Sequence, residues 1–374
     1  MYITRLINLK KILSEKSCFL LGPRQTGKSS LIDHEFQKHV TIDLLDDEIY
    51  LRLQQNPKNL GQYIPDSTKI VIVDEIQRVP VLLNEVHRLI EKRKLKFLLT
   101  GSSARKLRKK GVNLLGGRAR SRVLHPLVSG ELKDKFNLEK SLMYGTLPSI
   151  YFSSEPLDDL KSYVSEYLKE EIIAEAATRN IPAFARFLEV AAIANGQMLN
   201  YEKVSNDAQV ARSTVQSYYQ ILRDTLIGRD LVAYRKTQTR KAIQTNKFFL
   251  FDLGVVNCLN KNKILNENSP EYGFALEAHL HHELSSFCDY KGNHELNYWR
   301  SQSGLEVDFL INAEWAIEVK STKTLDRGDL KGILAISDDL RLKRKTIVCR
   351  EPFPRKIGDV EVLPVQIFLE ELWS

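Results

Sequence analysis

Gly22-Pro23-Arg24-Gln25-Thr26-Gly27-Lys28-Ser29 is the stretch of sequence that decides the fold. It satisfies the spacing G-x-x-x-x-G-K-[ST], follows the apolar run Cys18-Phe19-Leu20-Leu21 and opens the helix-like SSLIDHEF. Strand, glycine-rich loop and helix in that order bring backbone N–H groups and a helix N-terminus together on phosphates. The spacing predicts a cradle for ATP made of Gly22, Pro23, Arg24, Gln25, Thr26, Gly27, Lys28, Ser29 and Ser30. Lys28 reaches the β- and γ-phosphates there, and the Ser29 hydroxyl ligates Mg²⁺.

Working outward, further runs of strand length alternate with helical patterns: HVTIDLLD, KIVIVDE, KFLLTG and RVLHPL. Buried runs joined by long connections predict a parallel sheet covered by helices, an α/β P-loop domain over residues 1–128. The run Ile70 to Val73 leads straight into Asp74 and Glu75. A carboxylate at such a strand end can hold the Mg²⁺ shell, and its neighbour can polarise the attacking water, so Asp74 is the metal-side candidate and Glu75 the general base. The next run ends in Thr100-Gly101-Ser102-Ser103, with Ser102 the candidate γ-phosphate sensor and Thr100 behind it. In Gly116-Gly117-Arg118, Arg118 is the candidate that neutralises transition-state charge, in cis or across a subunit boundary. Action in trans implies a homo-oligomer.

The chain has 374 residues, 43% of them hydrophobic, enough for two or three domains with real cores. Its net charge of +8 is local: residues 91–122 hold twelve Lys or Arg against one acid, and the remainder of the chain is net acidic. The run from Arg105 to Lys110 is the candidate nucleic-acid surface within that window. Cys18, Cys258, Cys288 and Cys349 lie far apart without CxxC spacing, which excludes a disulfide scaffold or zinc ribbon. With no apolar run of membrane-spanning length and no secretory h-region, no membrane partner and a cytoplasmic location are expected.

Beyond the first domain the pattern predicts a helical segment within residues 129–180, a helix-turn-helix unit with a β-wing over 181–247, and a mixed α/β domain over 248–374. In ARSTVQSYYQILRDT, Val215, Tyr219, Leu222 and Leu226 form the buried face; Arg212, Thr214, Gln216, Ser217 and Gln220 point outward. Arg235, Lys236, Arg240 and Lys241 on the wing could meet phosphates. The segment LEVDFLINAEWAIEVKST reads as two strands around a turn at 312–314, which sets Asp308 opposite Glu318 and puts Lys320 on the same face. Two carboxylates holding Mg²⁺ beside a lysine suit phosphodiester cleavage; a cross-strand ion pair is the plain alternative. Glu277, on the upstream helical stretch, is the further candidate for that metal, ahead of Glu283. His279, His281 and His282 lack zinc spacing and read as a solvated helix face.

Together these motifs resemble a family of bacterial and archaeal AAA-type ATP-binding proteins fused to the domain of unknown function 4143. GPRQTGKSS, IVIVDEIQRVP, FLLTGSSARKL and LLGGRARSRVLHPLVSGE are similar to its ATPase half; WRSQSGLEVDFLI and AIEVKS are similar to its nuclease-like half. The resemblance implies an ATPase of the additional-strand catalytic glutamate type, a helical lid, a winged helix and a PD-(D/E)xK restriction-endonuclease-like α/β domain. Retention of Asp308, Glu318 and Lys320 favours an ATP-regulated, Mg²⁺-dependent nuclease-like protein acting on nucleic acid, DNA before RNA. The alternative is an ATP-dependent switch or partner-binding module that does not cleave.

Overall fold

Five short strands, β1 (Ser17–Leu21), β2 (Val40–Asp43), β3 (Ile70–Asp74), β4 (Lys96–Gly101) and β5 (Ala119–Val123), pair in parallel in the order β2-β3-β4-β1-β5. The computed structural model describes residues 2–103, 115–168, 180–237, 240–262, 264–292 and 294–374. Strand β1 is buried along its whole length because it is central, with neighbours on both edges. Strand β4 lies between β1 and β3, and so separates the phosphate-loop strand from the strand that ends in Asp74. Leu21, Val73, Phe97 and Leu99 pack with Leu83, Val86 and Leu89 of the helix Leu82–Arg93 into the core under this sheet. One expectation shifts: the fifth strand is Ala119–Val123, with RVLHPL largely beyond it, because a half-exposed edge strand need not be apolar.

This sheet belongs to a first compact unit, residues 1–127 with 220–227; the rest of the described chain forms a second. In the second unit, β6 (Gly228–Ala233), β7 (Lys247–Leu250), β8 (Leu296–Arg300), β9 (Glu306–Ile311), β10 (Trp315–Val319), β11 (Arg344–Cys349), β12 (Arg355–Ile357) and β13 (Val360–Pro364) form one mixed sheet. Its order is β12-β13-β11-β10-β9-β8-β6-β7. The helix Pro270–Lys291 supplies Leu276, Leu280 and Leu284 to the core on one side of this sheet, and Ile333 and Ile336 of the helix Lys331–Ser337 pack on the strands in a separate cluster. The expected boundary at 247/248 falls just after the first residue of β7. The β6–β7 hairpin, expected as a wing, continues the C-terminal sheet through parallel pairing of Val232 with Asn297 and Ala233 with Tyr298.

The helices Ile181–Ile193, Tyr201–Ala208 and Arg212–Asp224 occur where the sequence places them. Val215, Tyr219 and Leu222 are buried, Leu226 is half-buried, and Arg212, Gln216, Ser217 and Gln220 are exposed, as the periodicity requires. Residues 169–179, the later part of the expected lid, lie outside the described residues, as does the Arg105 to Lys110 run. Among the described residues no helix is long and apolar enough to cross a membrane, and all four cysteines are free thiols.

One close approach fixes the strand that carries Asp308. A Cβ added at Gly332 would stand 1.8 Å from the Glu306 carbonyl oxygen, a backbone atom that cannot rotate away. Gly332→Ala is therefore expected to lower stability by about 1–3 kcal/mol, read as a lower urea midpoint at unchanged slope. An unchanged midpoint would refute the contact.

Candidate functional site

The phosphate loop is built by backbone conformation. Gly27 caps the helix Lys28–Glu35 with φ 91°, and Gln25 at φ 60° turns the chain just before it. Gly22 cannot carry a side chain, because a Cβ there would meet the Leu124 carbonyl oxygen at 2.5 Å. The Thr26 hydroxyl donates to the Pro23 carbonyl at 2.8 Å. Beneath the loop, Arg5 donates to the Thr26 carbonyl and to the His125 carbonyl, both at 2.6 Å, and so ties the loop to the chain after β5. The Lys28 ammonium donates to the carbonyls of Gly22 and Pro23 at 2.8 and 2.9 Å, folded back over the cradle that the sequence predicts for phosphates.

Asp74 ends β3, and Glu75 follows with φ 56°, a left-handed turn that redirects its side chain. Asp74 accepts from the Thr100 hydroxyl and, at 3.1 Å, from the Glu75 N–H. Gln77, which sequence reasoning missed, is buried and donates both to Glu75 and, at 3.2 Å, to the Ser102 hydroxyl. Its Oε1 has no partner, and an added Cβ at Gly101 would strike it. Burial pushes the Glu75 carboxyl above the ordinary glutamate range against the pull of Lys28, while the Asp74 charge adds to the rise. A half-desolvated carboxylate next to the phosphate-loop lysine is equipped to take a proton. Thr100 and Ser102 thus stand with Asp74 and Glu75 at the carboxyl ends of β3 and β4.

Arg118 does not join them. Strand β5 runs parallel to β1 with Ala119 beside Ser17 and Val123 beside Leu21, so Arg118 sits at the opposite edge of the sheet. The five residues of β5, about 17 Å, separate it from the phosphate-loop edge, and its guanidinium donates to Glu91 at 2.5 Å. That geometry removes action in cis. Other described members of the basic window are also engaged: Arg120 pairs with Glu15, and Arg93 with Asp66.

The second cluster lies on the C-terminal sheet. Asn312 and Ala313 both have positive φ, and β9 pairs with β10 as Ile311 to Trp315, Leu310 to Ala316 and Phe309 to Ile317. The next step along that register sets Asp308 opposite Glu318, where Asp308 accepts from the Val319 N–H at 2.8 Å. Lys320 donates to Glu318 at 2.8 Å, and Glu318 Oε2 is buried without a partner. Burial raises both carboxyls above their ordinary ranges, and for Glu318 the Asp308 charge adds to the effect. Facing carboxylates with an orphaned buried oxygen fit one divalent cation. Glu277 departs from the expectation: it accepts from Lys247 at 2.8 Å instead of pointing freely at the pair. Among the described residues no group of three or more His, Cys, Asp or Glu is arranged to hold a metal.

A family profile described as an AAA domain matches residues 14–133, and one described as domain of unknown function DUF4143 matches residues 272–368. The chain is an AAA protein fused to a DUF4143 domain. Between the two, a domain of unknown function, DUF8612, matches residues 135–266. The uncharacterized proteins Mb2031c of Mycobacterium bovis and Rv2008c of Mycobacterium tuberculosis are each 24% identical over 345 residues, which is 88% of this chain and 75% of theirs. Two solved structures are distant likenesses at 14% identity. The Aeropyrum pernix ORC1 protein in complex with DNA has a TM-score of 0.30, covering 68% of this chain and 90% of that one. A Pyrococcus horikoshii signal transduction ATPase with numerous domains and a tetratricopeptide repeat sensor has a TM-score of 0.25, covering 76% and 45%.

Several side chains around the DUF4143 domain differ from expectation. His279 and His281 are buried, not solvated: His281 stacks on Phe249 with centroids 3.8 Å apart, and burial lowers His279 to about 4. Glu283 is buried as well and accepts from the Ser129 N–H and hydroxyl and from the Trp373 indole, a structural clamp. Arg240, expected to meet phosphates, donates to the Ala335 carbonyl at 2.7 Å and to Asp338 at 2.8 Å. Lys247 went unnoticed in the sequence because nothing local marks it as part of a site.

Proposed function

We propose that this AAA protein hydrolyses ATP and that its nucleotide state is coupled to a Mg²⁺-dependent, nuclease-like site acting on nucleic acid. The observation that carries the ATPase reading is that the phosphate loop with Lys28 follows β1 and Asp74-Glu75 follow β3, so both stand at the carboxyl edge of one parallel sheet with only β4 between those strands. On this reading Lys28 exchanges its two loop carbonyls for phosphate oxygens. Asp74 and Ser29 would hold Mg²⁺, which would supply positive charge to the phosphates. Glu75 accepts the proton of the attacking water, Thr100 orients Asp74, and Ser102 senses the γ-phosphate. Arg118 reaches a nucleotide only across a subunit boundary, so a homo-oligomer is part of the reading.

In the second unit, Asp308 and Glu318 would hold Mg²⁺, which would supply Lewis acidity to a phosphodiester, and Lys320 positions the attacking water. Residues 129–180 act as the lid. Residues 181–247 act as a winged helix, with Arg212, Gln216, Ser217 and Gln220 offered to a DNA groove ahead of RNA. The protein works in the cytoplasm. A specific observation favours the non-cleaving switch as the second reading: Glu277, the third expected metal ligand, is already committed to Lys247. The test is to incubate wild type, Lys28→Ala and Lys320→Ala with single- and double-stranded DNA and RNA, with and without ATP and Mg²⁺. The leading reading expects cutting by wild type, ATP turnover without cutting by Lys320→Ala, and loss of turnover in Lys28→Ala. Wild type that hydrolyses ATP and cuts nothing supports the switch.

A further inference from the structure

Lys247 is the buried cation at the centre of the C-terminal cluster. Its ammonium donates to Glu277 at 2.8 Å and Glu306 at 2.7 Å, with the ring of Tyr298 5.2 Å away. The side chain is only 6% exposed. Three elements meet on it: β7 contributes the lysine, β9 contributes Glu306, and the helix Pro270–Lys291 contributes Glu277. The field of Asp308, on the same face of β9 as Glu306, also acts on it. Arg300 completes the set by donating to Glu306 at 2.6 Å.

Counting charge decides what else the cluster can hold. With all four carboxyls ionised, as a bound divalent cation would hold them, Glu277, Glu306, Asp308 and Glu318 stand against Lys247, Lys320 and Arg300, leaving a deficit of one positive charge. The deficit is localised, because the orphaned oxygen is on Glu318 and the facing acid is Asp308. One divalent cation reverses the deficit to a single excess positive charge, which the single negative charge of a phosphodiester balances. A second divalent ion would leave the cluster strongly positive and would have to displace Lys247 from Glu277 and Glu306, which charge-assisted hydrogen bonds oppose.

We propose that Lys247 is a built-in cation standing where a second metal ion would otherwise be needed, so that the site takes one divalent ion, on Asp308 and Glu318, and one phosphodiester. Glu277 is then the counter-ion of Lys247 and not a metal ligand. The proposal rests on the Mg²⁺ reading given above and narrows it.

The experiment counts Mn²⁺ bound to the nucleotide-free full-length protein, by the electron paramagnetic resonance signal of the free ion. Wild type, Asp308→Asn, Glu277→Gln and Lys247→Met are compared, with far-UV circular dichroism to check folding. Asp308→Asn gives the background from other sites. Expected above that background are one ion for wild type, one for Glu277→Gln and two for Lys247→Met, where Glu277 has lost its cation and Glu306 keeps only Arg300. Two ions in wild type, loss of the ion in Glu277→Gln, or an unchanged count in folded Lys247→Met would each overturn the proposal. If Lys247→Met does not fold, the wild-type and Glu277→Gln counts decide alone. No ion in wild type but a gained ion in Lys247→Met would remove the Mg²⁺ reading while sustaining the role of Lys247 as the cation that fills the cluster.

Discussion

Glu75→Gln is expected to slow ATP turnover by about a hundred- to ten-thousand-fold while leaving nucleotide affinity nearly unchanged. The substitution keeps the shape and the hydrogen-bonding reach of the side chain but removes its ability to take a proton. Affinity should survive because the Lys28 ammonium, the loop glycines and Asp74 are untouched. The pH profile separates a base from a merely structural glutamate. Burial raises the Glu75 carboxyl above the ordinary glutamate value, and only its ionised form is a base. Wild-type kcat/KM therefore falls as pH drops through that raised pKa, at a higher pH than an unperturbed glutamate would give. The Gln variant should lack this acid limb. Phosphate release across the pH range, with binding of a fluorescent ATP analogue, supplies both readings; equal turnover in variant and wild type would exclude Glu75 as the base.

Much of this site was legible because its determinants are local in sequence. The phosphate loop needs two glycines, a lysine and a hydroxyl between a strand and a helix, and all lie within eight residues. The Asp308 and Glu318 register was legible for the same reason, since a short turn and two alternating strands fix the pairing. Gln77 was hidden because it reaches Glu75 only after the left-handed turn at Glu75 bends the chain, a conformation that non-glycine residues seldom adopt. Lys247 was hidden because its partners are 30 and 59 positions away and meet it only when the β6–β7 hairpin joins β8. The histidines misled because buried residues run all around the helix Pro270–Lys291, so no face of it is the solvated one. The Arg118 outcome follows from strand direction: in a parallel sheet a residue just before a strand lies at the edge away from the phosphates.

Lys28→Met should produce the other large effect, and it should appear in both stability and catalysis. Lys28 is buried, and its ammonium donates to the Gly22 and Pro23 carbonyls at 2.8 and 2.9 Å. Methionine keeps the length and the apolar stem but no donor, so both carbonyls lose a charge-assisted partner. The nucleotide-free variant should be destabilised by about 1–3 kcal/mol, seen as a lower melting temperature. When ATP binds, the same ammonium must leave these carbonyls for phosphate oxygens, and its loss should weaken turnover by about a hundred- to a thousand-fold. Thermal melting separates the two roles. A ligand at a hundred times its Kd stabilises the folded state by about 2.7 kcal/mol, so wild type should melt higher with ATP and Mg²⁺. Lys28→Met should melt lower than wild type without nucleotide and gain little when nucleotide is added. If the variant gained as much as wild type, phosphate recognition would rest on the backbone N–H groups of the loop and on Arg24, and the ammonium would be a structural brace for the loop alone.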